Sequence, residues 1–230
     1  EVEEGDIVLL QNEISNVGYA AETAKKAGAK IALNPSPINE NLKTIPMDLV
    51  DYFILNEIEG KEISGAESEE PGEIMEKLKT KYSDAAFVLT LGEKGSWYFD
   101  KDKCMKQEIY EVKAADTTAA GDTFCGYFLS GITKGKEIPE ILKTASAASA
   151  IAVSRNGAAP SIPEYEEVEK FVSVLTQKVL VFTLCENLLG AFVGYVACMN
   201  NNIPQVLLDG SKDLELVQRL IAIYQPEYIW

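Results

Sequence analysis

Short runs rich in β-branched and aromatic residues alternate with amphipathic stretches along most of the sequence. The runs DIVLL, KIALN, DYFIL and AAFVLTL are separated by longer segments such as SNVGYAAETAKKAGA and EEPGEIMEKLKTKY. Parallel strands need a long crossover between them, and a helix usually supplies it. The pattern therefore predicts an α/β fold with a mostly parallel sheet flanked by helices.

From Gly95 onward, the pattern of strands and helices changes once and later begins a new series. GSWYFD and QEIYEVKAA alternate in polarity with a period of two, which predicts an antiparallel pair at the sheet edge. AGDTFCGYFLSGI, IPEILKTASAASAIAVS and EYEEVEKFVSVLTQ predict three helices, the last on the surface. From Lys178 onward, KVLVFTL, PQVLLD and PEYIW alternate with two helical segments, which predicts a small C-terminal β-α-β-α-β lobe.

We expect the boundary between these two parts near Leu175 to Lys178. Residues 1–176 and 177–230 would then form separate domains. The apolar helix LLGAFVGYVACM of the second part must be buried, most easily beneath its own strands.

The chain is strongly acidic, with 36 Asp and Glu against 21 Lys and Arg and a formal charge of -15. Such a charge repels nucleic-acid backbones and anionic lipid headgroups, so neither nucleic acid nor a membrane is an expected partner. Val179 to Met199 approaches the length of a membrane span, but Glu186 and Asn187 interrupt it. The acidic start EVEEGD is not typical of a signal peptide.

Histidine and cysteine usage narrows the chemistry further. The sequence has no histidine, which excludes Ser-His-Asp catalysis, an HExxH zinc site and imidazole as a proton carrier. Carboxylates are therefore the expected proton acceptors near neutral pH. The cysteines form no CxxC pair and are expected to be reduced core thiols, which favours a cytoplasmic protein. They are Cys104, Cys125, Cys185 and Cys198.

The segment AADTTAAGDTF, residues 114–124, lies between a strand-like run and an apolar helix. Its small residues let a phosphate approach the backbone, where the free N–H groups of the first helical turn point toward it. Asp122 stands at the mouth of this turn and could take a proton from an incoming hydroxyl. Alternatively, Asp122 caps the helix, as Asp often does.

This segment resembles the signature D-T-x-x-A-G-D of the ribokinase (PfkB-type) carbohydrate kinase family. The resemblance implies that Asp122 is the base that activates a sugar hydroxyl, and that Ala120 and Gly121 form an anion hole. It also implies that Asp116 contacts the sugar or a monovalent cation, with Thr118 nearby. The implied reaction is phosphoryl transfer from Mg-ATP to a sugar hydroxyl.

Two further motifs precede the signature in the order found in that family. Asn56 and Glu59 resemble its N-x-x-E, whose side chains organise magnesium and phosphate waters, and the alternative is a solvated helix start. Residues 90–95 resemble its T-x-G-x-x-G nucleotide loop, and the alternative is an ordinary hairpin turn. The loop residues are Thr90, Leu91, Gly92, Glu93, Lys94 and Gly95.

The remaining matches lie at the front and the back of the same region. Glu13, in the run LQNEI, matches a sugar contact, and Ser146 matches a position near the adenine. The turn at residues 34–37 fits an Asn-Pro turn of the family and adds no chemistry. Residues 152–161 resemble a loop that holds a monovalent cation, expected to be potassium. The residues implied for that cation are Asp116, Thr118, Ala152, Arg155, Gly157 and Ser161.

The resemblance covers about residues 1–175 and does not include the family's amino-terminal half with its small β-sheet lid. We therefore expect an impaired, truncated sugar kinase. The tail from Lys178, with E-N-x-x-G-A and P-x-x-L-L-D, resembles the start of an AMP-binding adenylate-forming enzyme, or else is an extra βαβ lobe. The alternative functions are a catalytically dead nucleotide-binding module and an adenylate-forming fragment acting as an interaction domain. The choice of sugar and possible homo-oligomerisation are left open.

Overall fold

The computed structural model describes residues 1–176, 180–185, 189–200, 203–209, 214–226 and 228–229. The described residues form two compact units, Glu1–Glu169 and Lys170–Trp230. Each unit has a sheet of its own.

A six-stranded sheet forms the centre of the first unit. Its strands lie side by side in sequence order, with the first four parallel and the last two antiparallel to their neighbours. The predicted α/β fold with a mostly parallel sheet is therefore confirmed. The strands are β1 Ile7–Gln11, β2 Lys30–Asn34, β3 Tyr52–Asn56, β4 Ala86–Thr90, β5 Ser96–Phe99 and β6 Cys104–Gln107.

Helices cover both faces of this sheet because successive side chains of a strand point to opposite sides. On β3, Phe53 belongs to the apolar core shared with the first three helices, whereas Ile54 belongs to a second core shared with the fourth and fifth. The helices are α1 Val17–Lys26, α2 Glu57–Ser64, α3 Pro71–Lys81, α4 Ala120–Thr133 and α5 Ile138–Val153. A further helix, α6 Tyr165–Thr176, spans the division between the two units.

The predicted antiparallel pair is found, but its second strand was placed wrongly. β6 is Cys104–Gln107, and residues 108–115 of the predicted strand QEIYEVKAA form no strand. Asp100 Oδ1 accepts hydrogen bonds from the N–H groups of Asp102 and Lys103, at 2.8 and 2.7 Å, which closes a tight turn. The return strand therefore starts early, and it ends at Gln107 because its partner β5 begins at Ser96.

The second unit contains a three-stranded parallel sheet in the order β8-β7-β9, which confirms the predicted small β-α-β-α-β lobe. Glu186 and Asn187 of the tail motif lie outside the described residues. The elements are β7 Val181–Cys185, α7 Leu189–Asn200, β8 Gln205–Asp209, α8 Leu214–Tyr224 and β9 Tyr228–Ile229.

Two expectations about burial are corrected. On α7, Phe192 is 64% exposed and Met199 58% exposed, so the expectation that this helix is buried is wrong for these positions. The thiols of Cys104 and Cys185 are exposed, and only Cys125 and Cys198 are core thiols, although all four are free. Cys104 begins the edge strand β6, where alternate side chains face solvent, and Cys185 is the last residue of β7. Among the described helices, none combines the length and apolarity needed to cross a bilayer.

Candidate active site

The carboxyl ends of the parallel strands meet at one edge of the first sheet. Gln11 at the end of β1 is in register with Asn34 at the end of β2, and Asn56 at the end of β3 is in register with Thr90 at the end of β4. In open α/β sheets, ligands bind at this edge. The sheet thereby brings the predicted N-x-x-E and T-x-G-x-x-G segments together.

Asp122 is the third residue of α4, and its side chain does not cap the helix. The residue before the helix is Ala119, which has φ 63° and can make no side-chain cap. The N–H of Thr123 donates to the carbonyl oxygen of Ala119 at 2.9 Å, and among the described residues no acceptor binds the N–H groups of Gly121 and Asp122. The alternative interpretation of Asp122 as the helix cap is therefore wrong, and two free backbone donors lie beside an exposed carboxylate.

Neighbouring elements fix the start of α4. Ser149 on α5 donates its hydroxyl to the carbonyl oxygen of Ala120 at 3.1 Å. From β1, Gln11 donates its side-chain amide Nε2 to Asp122 Oδ1 at 3.3 Å. The sequence analysis missed Gln11, although a polar residue ending a buried strand at the ligand-binding edge was a usable signal.

The acidic residue that begins the signature is also tied to its surroundings. Asp116 Oδ1 accepts hydrogen bonds from Thr118 N and Thr118 Oγ1, at 2.9 and 2.6 Å, and Oδ2 accepts one from Gly157 N at 3.1 Å. These bonds, the one from the Thr118 side chain first, hold the pKa of Asp116 below its usual value. The structure thus brings three of the residues expected at the cation site into contact.

The other residues expected at that cation site have structural partners. The carbonyl oxygen of Ala152 accepts the N–H of Arg155 at 3.0 Å. The Arg155 guanidinium forms a salt bridge with Glu167. Ser161 is fully buried and donates its hydroxyl to the carbonyl oxygen of Ala158 at 2.7 Å. These contacts stabilise the conformation of residues 152–161 and join the segment to α6 through Glu167.

Asn56 and Glu59 form a capping box at the start of α2. Asn56 Oδ1 accepts the N–H of Glu59, and Glu59 Oε2 accepts the N–H of Asn56, both at 2.9 Å. Ser36 donates its hydroxyl to Glu59 Oε1. Glu59 is 5% exposed, so the alternative of a solvated helix start is wrong for its carboxylate. Like Gln11, Ser36 was not predicted from the sequence to contact a site residue.

The segment Thr90 to Gly95 is a tight connection between β4 and β5. The N–H of Leu91 donates to the carbonyl oxygen of Gly95 at 2.9 Å, and Gly92 and Gly95 have φ 53° and 83°. A Cβ on Gly95 would overlap the carbonyl oxygen of Gln107, whereas one on Gly92 would meet open space. The close approach of β6 therefore requires glycine at position 95, which agrees with the alternative of an ordinary hairpin turn. The remaining loop residues, Glu93 and Lys94, are exposed.

Glu13 and Ser146 complete the set of predicted site residues. Glu13 is exposed beyond the end of β1, and Ser146 is half-buried on α5. Among the described residues, no cluster of three or more Cys, Asp or Glu side chains has the arrangement of a metal site.

Comparison with known proteins identifies the first unit. The family model of the pfkB family carbohydrate kinases matches residues 4–165, which is more than half of the chain. The ribokinase of Haemophilus influenzae is 34% identical over 177 residues, covering 75% of this chain and 57% of that protein. The ribokinase of Lactococcus lactis is 34% identical over 173 residues, covering 74% of this chain and 54% of that protein.

Solved structures give the same result. Arabidopsis thaliana ribokinase, described in complex with ribose and ATP, is similar with a TM-score of 0.65 and 31% identity, over 72% of this chain and 55% of that one. Thermotoga maritima ribokinase has a TM-score of 0.60 and 35% identity, over 73% of this chain and 57% of that one. The chain spans about half the length of the curated relatives it matches. On the match over residues 4–165, the chain belongs to the pfkB family of carbohydrate kinases.

Proposed function

We propose that this chain carries the nucleotide-binding and catalytic part of an ATP-dependent sugar kinase, which transfers a phosphoryl group to an alcohol. The observation that supports it best is the start of α4, where Asp122 is exposed, is not used as a cap and lies beside two free backbone N–H groups. Ribose is the first acceptor to test, because similar proteins are named ribokinases and one is described with ribose and ATP.

Asp122 would act as the general base for the sugar hydroxyl. The N–H groups of Gly121 and Asp122 lie at the positive end of the α4 dipole, where they can donate to developing negative charge. A Cβ on Gly121 would have no neighbour within 4 Å, so the backbone there is open to a ligand. The carboxylate and the donors are thus placed for one reaction, proton removal coupled to phosphoryl transfer.

Two buried polar atoms support a nucleotide at this edge. Thr123 Oγ1 follows Asp122 on α4, and Ser96 Oγ follows Gly95 at the start of β5; neither has a partner among the described residues. Buried hydroxyls without a partner are uncommon in folded proteins, and they suit a polar ligand. The residues that would hold ATP are those of the Thr90 to Gly95 segment, Gly121 and Ser146.

The proposal includes magnesium and potassium, because the residues expected to hold them offer oxygen atoms. Both carboxylate oxygens of Glu59 already accept bonds from Ser36 and Asn56, so Glu59 suits contact with magnesium through water rather than direct ligation. Asp116 and Thr118, with the carbonyls of residues 152–161, would hold potassium. When bound, the two cations would neutralise phosphate charge.

The test is ATP consumption measured against a panel of sugars and nucleosides, with ATP binding measured separately by calorimetry. Replacing Asp122→Asn is expected to lower kcat by about 10²–10⁴ with ATP affinity little changed, since only the base is lost. ATP binding without turnover in the unaltered chain would instead support a nucleotide-binding module. A chain that binds no ATP would contradict the proposal.

A further inference from the structure

Among the described residues, a side-chain hydrogen bond from Gln11 joins the sheet to the carboxylate of Asp122. The two residues are 111 positions apart in sequence, and Gln11 Nε2 donates to Asp122 Oδ1 at 3.3 Å. Gln11 is the last residue of β1 and is paired in register with Asn34 of β2. Its amide therefore extends from a rigid element rather than from a loop.

The residue after Gln11, Asn12, anchors the end of the strand. Asn12 is 2% exposed, and its N–H donates to the carbonyl oxygen of Ser36 at 3.0 Å. Its Nδ2 donates to the carbonyl oxygen of Pro37 at 2.7 Å and to Asn39 Oδ1 at 3.0 Å. These bonds fix the backbone directly after β1 and thereby limit the movement of Gln11 at the strand end.

We propose that Gln11 is a positioning residue for Asp122. A bond from a fixed amide to Oδ1 restricts rotation of the carboxylate and leaves Oδ2 to accept the proton of the acceptor hydroxyl. The inference rests on the proposed role of Asp122 as base. Correct orientation of a reacting group lowers the barrier of the chemical step. It does not change the stability of the fold. The effect of Gln11 is therefore expected in kcat.

The first experiment compares Gln11→Met with the unaltered chain in sugar phosphorylation. Methionine has a similar length but no N–H donor, and kcat is expected to fall about tenfold, as for loss of one hydrogen bond to a charged group. The KM for ATP and the thermal midpoint are expected to stay unchanged. The same exchange at an exposed position of α8, Gln218→Met, is the control and should change neither rate nor affinity.

A double-mutant cycle separates positioning from a merely structural role. In an Asp122→Asn background, Gln11→Met should cause no further loss of kcat, because the carboxylate that it positions is already gone. Independent tenfold losses that multiply, or a lower thermal midpoint with raised KM for ATP, would overturn the inference.

A second measurement needs no turnover. The side-chain amide signal of Gln11 in a ¹⁵N–¹H NMR spectrum, assigned by its loss in Gln11→Met, is expected to shift in Asp122→Ala. An unchanged signal would overturn the contact and with it the inference. A chain that binds no ATP would overturn the proposed function, while the NMR result would still support or overturn the Gln11–Asp122 contact.

Discussion

Two carboxylates occupy the same position in two helices and have different uses. Glu59 is the third residue of α2 and reaches back to the N–H of Asn56, which caps its own N–H in return. Asp122 is the third residue of α4, but the residue before that helix is Ala119, which has no side chain to make a cap. Asp is also one methylene shorter than Glu. The absence of a reciprocal cap leaves the Asp122 carboxylate exposed, as its proposed role as a base requires.

The substitution Gly121→Ala distinguishes an effect on fold stability from an effect on ATP binding. Gly121 is the second residue of α4 with open space around it, so alanine should leave the free energy of unfolding unchanged or raise it by up to about 1 kcal/mol. The new methyl group would occupy the space proposed for phosphate, and ATP affinity should fall at least about tenfold, or ~1.4 kcal/mol. Calorimetry and urea unfolding measure the two effects.

Gly72→Ala is the matched control. Gly72 is the second residue of α3 and is likewise surrounded by open space, but it lies outside the proposed site. It should show the same effect on unfolding with no change in ATP affinity. Equal ATP affinity in both variants would count against phosphate binding at α4.

At the scale of elements, the starts of α2 and α4 are held by strand ends, loops or helices beside them. α2 begins directly after β3 with the Asn56–Glu59 capping box, and the loop after β2 adds the hydroxyl of Ser36. α4 begins between the end of β1 and α5, which contribute Gln11 and Ser149. The edge proposed to bind the ligands is therefore built from contacts between elements that are distant in sequence.

The capping box gives a prediction for α2. Asn56→Ala removes the acceptor for the N–H of Glu59 and should lower the free energy of unfolding by about 0.5–2 kcal/mol. Asn56→Asp keeps an acceptor oxygen and should cost less. Urea denaturation compares the three chains, and an alanine variant as stable as the aspartate variant would contradict a capping role.

Sequence reasoning located elements better than contacts. Alternation of apolar runs with amphipathic segments predicted the strands and helices, because burial of one face is a local property. The second strand of the hairpin was misplaced, since its extent depends on the length of β5 and on the Asp100 turn. The signature predicted Asp122 at a helix start, whereas Gln11 and Ser36 act through pairs 111 and 23 residues apart in sequence. Such pairs depend on the tertiary fold.

At the scale of the whole molecule, three boundaries lie close together. The family match ends at residue 165, the compact units divide between Glu169 and Lys170, and the sequence pattern predicts a boundary after residue 176. α6 spans these positions. Its first turns carry Val168, which is fully buried, and Tyr165, whose hydroxyl accepts a bond from Lys136 at 2.8 Å. The start of α6 is therefore part of the first unit.

A chain ending at residue 176 is expected to keep its ATP affinity and a cooperative unfolding transition, because all predicted site residues lie within the first unit. A chain ending at residue 163 should have a free energy of unfolding at least about 2 kcal/mol lower than the chain ending at residue 176, since it loses the buried Val168 and the ring of Tyr165. Calorimetry and thermal unfolding measure both. Loss of ATP binding in the longer fragment would show that the second unit is needed.

The distribution of thiols gives the molecule a built-in pair of probe positions. Cys104 is exposed in the first unit and Cys185 in the second, while burial and the charge of Asp122 raise the pKa of the Cys125 thiol to about 12 and keep it unreactive. Cys198 is also buried. Maleimide dyes would therefore attach to one site on each unit without any substitution. Energy transfer between donor and acceptor dyes would then follow any motion of the units when ATP is added.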